Sequence, residues 1–173
     1  LPVARWNGLP AVVMSQLWQL QMIEPRPKKM LRMANRLAHR IVVNSQAVSE
    51  ELKGCGIPAS KIFLCYNSID PDVFYATPTR VRKPSVAEAE VVIGCICALR
   101  EEKRIDVLMR AFDMVRRRHH GVKLLIVGSG PMRETWEQLA RELGITELLH
   151  MEPVTPEVPV WLRSIDIFVQ PSD

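Results

Sequence analysis

The reading of the whole chain turns on CALREEKRIDVLMRAF, residues 97–112. A continuous apolar run, VVIGCICAL at 91–99, stops at Leu99, and charged residues fill positions Arg100 to Lys103 behind it. Ile105, Leu108, Met109, Phe112 and Val115 then recur at helical spacing. An uninterrupted apolar run followed by a 3.6-residue period reads as a buried strand feeding a helix. A charged turn at that junction is commonly a solvated helix start. The same position, the carboxyl end of a strand, is also where open α/β sheets bind ligands, and Arg100 with Lys103 would meet an anion there. Both readings stand on these residues alone.

The pattern repeats in both directions. Apolar runs predict strands at 11–15, 40–45, 61–69, 91–99, 122–128, 148–152 and 166–172. Helical periodicity fills the gaps at 27–39, 46–53, 104–118, 132–143 and 159–164. Ser45 is a good N-cap for the helix from Gln46, and Gly54 and Gly56 end it. In the 27–39 helix, Met30, Ala34 and Leu37 form the core-facing stripe. Strands apolar on both faces, alternating with helices, require a mostly parallel sheet covered on both sides. Residues 76–90 break the pattern with Thr77, Pro78, Thr79, Pro84, Ser85 and clustered charge, and read as a linker. The expectation is therefore an α/β chain with two parallel-sheet halves, both incomplete, at 1–75 and 91–173.

Composition bounds the class. The chain has 173 residues, 47% hydrophobic and 24% charged, with a net charge of +4. These are the values of a chain that buries a core, and no apolar run approaches the ~18 residues of a membrane span. Residues 1–20 lack a basic start followed by an apolar stretch, so no signal peptide is read there. The chain begins at Leu1 and is expected to be an interior fragment of a longer protein. Cys55, Cys65, Cys95 and Cys97 form no paired framework, and His39, His119, His120 and His150 supply no ligand near them. Cys95 and Cys97 alternate on a strand and point to one face, where small thiols pack. No metal site is expected, and the thiols indicate a reducing, cytoplasmic compartment.

The next strand-to-helix turn, in LLIVGSGPMRETWEQLARELG, contains Gly128 and Gly130. Glycines there let backbone approach a ligand, and the opening N–H groups of a helix favour an anion. A dinucleotide fingerprint needs a third glycine where this chain has Arg133, so a nicotinamide oxidoreductase is disfavoured. Pro131 removes one donor, though proline suits a first helical turn. No Walker A sequence occurs.

Taken in order, RIVVNSQAVSEEL, KIFLCYNSIDPDVF, CALREEKRIDVLMRAF, LLIVGSGPMRETWEQLARELGI and DIFVQPSD resemble the retaining glycosyltransferases of family 4. The resemblance covers residues 36–173 well and 1–35 loosely. It implies a GT-B fold, in which two Rossmann-like domains face each other across a cleft: the end of an acceptor domain at 1–75, a linker, and the start of a nucleotide-sugar donor domain at 91–173. It implies sugar transfer from a nucleotide-diphosphate sugar to an acceptor hydroxyl, with retention and without a metal. In that family an arginine and a lysine on the 97–103 turn bind the donor diphosphate. Lys103 matches the lysine; Ala98 holds the arginine's usual place, and Arg100 substitutes for it. Gly128 and Gly130 match the loop that lines the donor cleft, and His150 falls where backbone meets the nucleobase. Asn67 and Asp70 match the residues near the interdomain crossing, where Tyr66 and Ser68 replace the usual proline and glycine and favour a structural turn.

Two departures matter. The family's glutamate pair follows the Pro-Ser matched by Pro171 and Ser172, where this sequence ends, and Gln16, Leu17 and Trp18 stand where many members carry a histidine. A non-catalytic nucleotide-binding or interaction module of the same fold is the alternative. Lys29, Arg32, Arg36 and Arg40 share a face of the helix at 28–40, with no acidic residue between Glu24 and Glu50. That face reads either as plain solvated surface or as a peripheral contact with an anionic membrane, which suits a sugar or lipid-linked acceptor of cell-envelope polysaccharide or glycolipid synthesis. Without aromatic interleaving, nucleic acid is not read as a partner. Incomplete sheets leave edges and apolar faces uncovered, among them strands 122–128 and 166–172, so the chain is expected to self-associate. Light scattering at micromolar concentration checks this: the expected result is a homo-oligomer, and a sharply melting monomer contradicts it.

Overall fold

The computed structural model describes residues 7–17, 25–75 and 81–172. It has two compact units, Leu1–Ile69 and Asp70–Asp173, each built on its own parallel sheet.

The first unit runs β1 (Val13–Gln16), α1 (Pro25–Leu37), β2 (Arg40–Val43), α2 (Gln46–Gly54), β3 (Ile62–Leu64). Its strand order is β1-β2-β3, all parallel. Ile41 and Val43 are fully buried and pack with Met14, Ile62 and Leu64 against Ala38, Val48, Leu52 and Ile57. Ser45 caps α2, its Oγ accepting from the Val48 N–H at 3.3 Å, and left-handed Gly56 (φ +79°) turns the chain out of the helix.

Three expectations need correction here. Met30 is 71% exposed rather than in the core. α1 instead turns Asn35 inward, with Ala38 buried just after its end, and the Asn35 Nδ2 donates to Gln16 Oε1 at 2.8 Å in a buried contact. A polar side chain is buried there because it satisfies the glutamine at the end of β1. Arg40 stands on β2, so the basic face of α1 comprises Arg32 and Arg36; the side chains of 25–29, including Lys28 and Lys29, and residue Trp18 lie outside the described residues. β3 stops at Leu64, well short of 69. Cys65 N–H still reaches Val43 O at 2.8 Å, but β2 ends at Val43 and leaves later residues no ladder to join.

The second unit runs β4 (Val91–Ile96), α3 (Ile105–Arg116), β5 (Val122–Val127), α4 (Arg133–Leu143), β6 (Leu149–Glu152), α5 (Val158–Arg163), β7 (Ile167–Phe168). The strand order is β6-β5-β4-β7, all parallel. β5 lies inside the sheet. Its Leu124 and Ile126 join the core with Phe112, Trp136 and Leu139 of α3 and α4. Leu125 and Val127 face the other way, onto Val86, Ala89 and Trp161. Both faces of β5 are thus covered, contrary to the expectation for 122–128. The short edge strand β7 is the more open one, with Ile167 and Phe168 half exposed.

The second layer comes in part from residues 81–90. A 3-10 turn at Pro84–Val86 buries Val86, and the Arg82 guanidinium reaches Asp166 at 2.6 Å, Ser164 O at 3.1 Å and Glu90 O at 3.2 Å. Those bonds hold this stretch within the second unit; positions 76–80 lie outside the described residues. Phe112→Ala should cost about 3–5 kcal/mol, as aromatic truncation in a closed core does. Phe168→Ala at the open edge should cost under about 1 kcal/mol. Urea unfolding of both variants checks the contrast, and equal losses contradict this assignment of the core.

Candidate functional site

β4, β5 and β6 bring three turns to one edge of the second sheet, and backbone hydrogen bonds stitch these turns into a row. Cys97 N–H donates to Val127 O (3.0 Å), Leu99 N–H to Ser129 O (3.0 Å), Met132 N–H to Leu99 O (3.1 Å) and Gly128 N–H to Glu152 O (2.8 Å). Ser129 Oγ accepts from Val154 N–H at 3.0 Å. Residues 97–100, 127–132 and 152–154 therefore form one continuous surface at the strands' carboxyl ends.

The glycines make this possible. A Cβ on Gly128 would stand 1.9 Å from Cys97 O, and one on Gly130 would stand 2.3 Å from Leu99 O. Gly128 also has φ +146°, a conformation that side chains rarely adopt. The side of each glycine where a side chain would stand is filled by the neighbouring turn. Close approach of protein backbone to protein backbone thus explains both residues. Arg133, in place of a third glycine, bonds Glu137 Oε1 (2.8 Å) and Met151 O (3.1 Å).

Past Leu99 the chain stays extended through Arg100, makes a 3-10 turn at Glu101–Lys103, and passes Arg104 in the left-handed region (φ 47°) before α3 begins. Lys103 N–H closes the turn on Arg100 O at 3.0 Å. Arg100 is exposed and Lys103 half-buried, and among the described residues neither side chain makes a hydrogen bond or salt bridge. The Ser129 and Gly130 N–H groups likewise donate to no acceptor among the described residues. Two unneutralised cations and two free donors, close to the start of α4, make an edge that attracts an anion. Nothing in an arginine at 104 announces a left-handed conformation, so the sequence offered no signal for it.

The His150 side chain has partners of its own. Its Nε2 lies 3.0 Å from Glu152 Oε2, and its ring stacks on Trp161 with centroids 5.4 Å apart. Lys83 Nζ sits 5.2 Å from the centroid of the same indole and 2.6 Å from Glu157. Asp70 closes a turn of its own, its Oδ1 accepting from Asp72 N–H at 2.9 Å. Cys95 and Cys97 do share a face, with sulfurs 3.7 Å apart. An open groove of about 970 Å³ lies between α3 and α4, lined by Glu101, Glu102, Arg110, Trp136 and Glu142 among others. It includes neither Arg100 nor Lys103, and its mixed carboxylates and guanidinium groups do not favour one charge. Among the described residues, no cluster of three or more histidine, cysteine, aspartate or glutamate side chains is placed to hold a metal.

Residues 4–73 match the family described as Glycosyltransferase Family 4, and residues 90–173 match Glycosyl transferases group 1. Anabaena HepE, crystallised with UDP and glucose, superposes with a TM-score of 0.80 at 20% identity, over 98% of this chain and 48% of that one. This chain has the GT-B fold of those glycosyltransferase structures.

Staphylococcus aureus TarM is a more distant GT-B likeness, with a TM-score of 0.67 and 17% identity, covering 85% of this chain and 28% of TarM. A GDP-mannose-dependent phosphatidylinositol monomannoside mannosyltransferase from Mycolicibacterium smegmatis is 32% identical over 108 residues, 60% of this chain and 28% of that enzyme. An uncharacterised glycosyltransferase of Methanocaldococcus jannaschii is 31% identical over 115 residues, 61% of this chain and 29% of the relative. The GT-B chain thus spans under a third of these curated relatives and about half of HepE.

Two substitutions should act in opposite directions on its site turn. Gly128→Ala forces the turns apart and should destabilise by about 3 kcal/mol or more. Arg104→Gly relieves a left-handed side-chain residue and should stabilise by about 1 kcal/mol. Denaturant midpoints check both, and a tolerated Gly128→Ala contradicts the packing account.

Proposed function

We infer that this chain carries part of a retaining family 4 glycosyltransferase and that the 97–103 turn receives the diphosphate of a nucleotide-sugar donor. The observation that supports it is the row of turns: Arg100 and Lys103, unpaired among the described residues, beside the free N–H groups of Ser129 and Gly130. When the sugar–oxygen bond breaks, negative charge builds on the leaving nucleoside diphosphate. Fixed cations and backbone dipoles at that position stabilise the transition state more than the ground state. In this reading Arg100 and Lys103 do that charge work and no metal is required. The structures of HepE with UDP and with UDP-glucose are consistent with a nucleotide-sugar donor.

The acceptor is a hydroxyl on a sugar or lipid-linked glycan. The mycobacterial relatives act on a phosphatidylinositol mannoside, and on α1 the exposed Met30 and Met33 stand among Arg32 and Arg36, a mixture suited to an anionic membrane surface. Among the described residues no helix is long and apolar enough to cross a membrane, so the contact is peripheral in this reading. The non-catalytic alternative has no observation in its favour.

Calorimetric titration of UDP, GDP and ADP tests the donor assignment. Lys103→Ala should weaken the preferred nucleotide at least tenfold, about 1.4 kcal/mol, and Arg100→Ala should weaken it too. Equal affinity for parent and Lys103→Ala would sink the assignment.

A further inference from the structure

We propose that Cys95 and Cys97 form a peroxide-reactive dithiol that closes into a disulfide and, once closed, disables the anion-binding turn beside it. The chemistry of the pair stands on the thiols themselves; its effect on nucleotide rests on the donor-site reading above.

Strand alternation puts the two side chains on the same face, with sulfurs 3.7 Å apart and the Cys95 thiol donating to Cys97. Their surroundings differ. Cys95 is fully buried in the core against α3 and α4, whereas Cys97 is half-buried beyond the last residue of β4, toward the open edge. An oxidant arriving from solvent therefore meets Cys97 first. The hydrogen bond from Cys95 pulls the Cys97 thiol below its usual range against the opposing effect of burial, and the Lys103 ammonium adds to that pull while the Glu102 carboxylate opposes it. The bond to Cys97 and burial push Cys95 the other way. The outer sulfur is thus the nucleophile and the inner one keeps its proton, which separates attacking and resolving roles.

The steps balance with hydrogen peroxide as the oxidant. The Cys97 thiolate attacks one peroxide oxygen, the O–O bond breaks, and hydroxide leaves, giving a sulfenic acid. Cys95 then loses its proton as its sulfur attacks the Cys97 sulfur. The S–O bond breaks and a second hydroxide departs. Together two thiols and one peroxide give one disulfide and two waters, a two-electron oxidation of the protein.

Closure must draw the sulfurs from 3.7 Å to about 2.05 Å. Cys97 cannot move alone. Its N–H is held by Val127 O at 3.0 Å, and its carbonyl abuts Gly128 with no room for even a methyl group. Any backbone movement that closure demands of Cys97 is consequently passed to the two turns it joins, and Arg100 lies three residues further along the first of them. Cys55 and Cys65 have no thiol partner among the described residues and serve as internal controls.

The test treats the full chain with peroxide, alkylates what remains reduced, and maps the cysteines by mass spectrometry. The expected product is a disulfide within the 95–97 peptide, reversed by dithiothreitol. Cys95→Ser should leave a Cys97 sulfenic acid that dimedone traps, and Cys97→Ser should leave Cys95 reduced. Oxidation of Cys55 or Cys65 with Cys95 and Cys97 both spared overturns the proposal, as does a Cys97 sulfenic acid that persists with Cys95 present. Nucleotide titration of reduced and oxidised protein should then show at least a tenfold loss on oxidation, restored on reduction. Equal affinity of the two forms overturns the coupling. If the reduced chain binds no nucleotide at all, the donor-site reading and the coupling both fall, while the mass map still decides the dithiol.

Discussion

The site depends on how closely the turn after β4 can lie against the turn after β5. Parallel strands are joined by evenly spaced hydrogen bonds, and here that pairing continues past the sheet, through Cys97 to Val127 and Leu99 to Ser129. It continues only because Gly128 and Gly130 present no side chain to the carbonyls of Cys97 and Leu99. With a methyl group at either position the turns would separate, the Met132 to Leu99 bond that anchors the start of α4 would be lost, and Arg100 and Lys103 would no longer stand beside the free N–H groups of Ser129 and Gly130.

Around that contact the second unit is layered in a way that holds the edge rigid. One side of β5 rests on Phe112 and Trp136, the other on Trp161 and the segment at 81–90, which Arg82 ties to Asp166. Close-packed side chains on both faces leave the strand little freedom, so its carboxyl end is well positioned to carry function. The first unit is thinner. Among the described residues its sheet is covered by helices on one face, while Val13 and Phe63 on the other remain more than half exposed.

The charges follow the same logic. Several cations that tie segments of this chain together are paired with carboxylates, as Arg82 is with Asp166, Arg116 with Asp113, and Arg133 with Glu137. Arg100 and Lys103 are not paired among the described residues, although Glu101 and Glu102 lie between them in sequence. The turn's geometry separates neighbours along the chain. The His150 side chain, by contrast, is held by Glu152 and Trp161.

Local pattern along the chain set the class of architecture and nearly every element. Apolar runs such as 91–96 and 122–127 and periodic stretches such as 105–116 are local signals, each legible without its neighbours. The same is true of the Ser45 cap and of the charge at Arg100 and Lys103. Tertiary structure alone decided whatever depends on a partner far along the chain. β3 ends at Leu64 because β2 has ended at Val43; Asn35 is buried because Gln16 awaits it; Met30 is exposed because α1 turns a different stripe inward. The purpose of Gly128 and Gly130 belongs to the same group, since a glycine's lack of a side chain gains meaning only from the atoms that occupy the space. Local spacing fixes which residues share a face, but only the packed chain decides what that face meets.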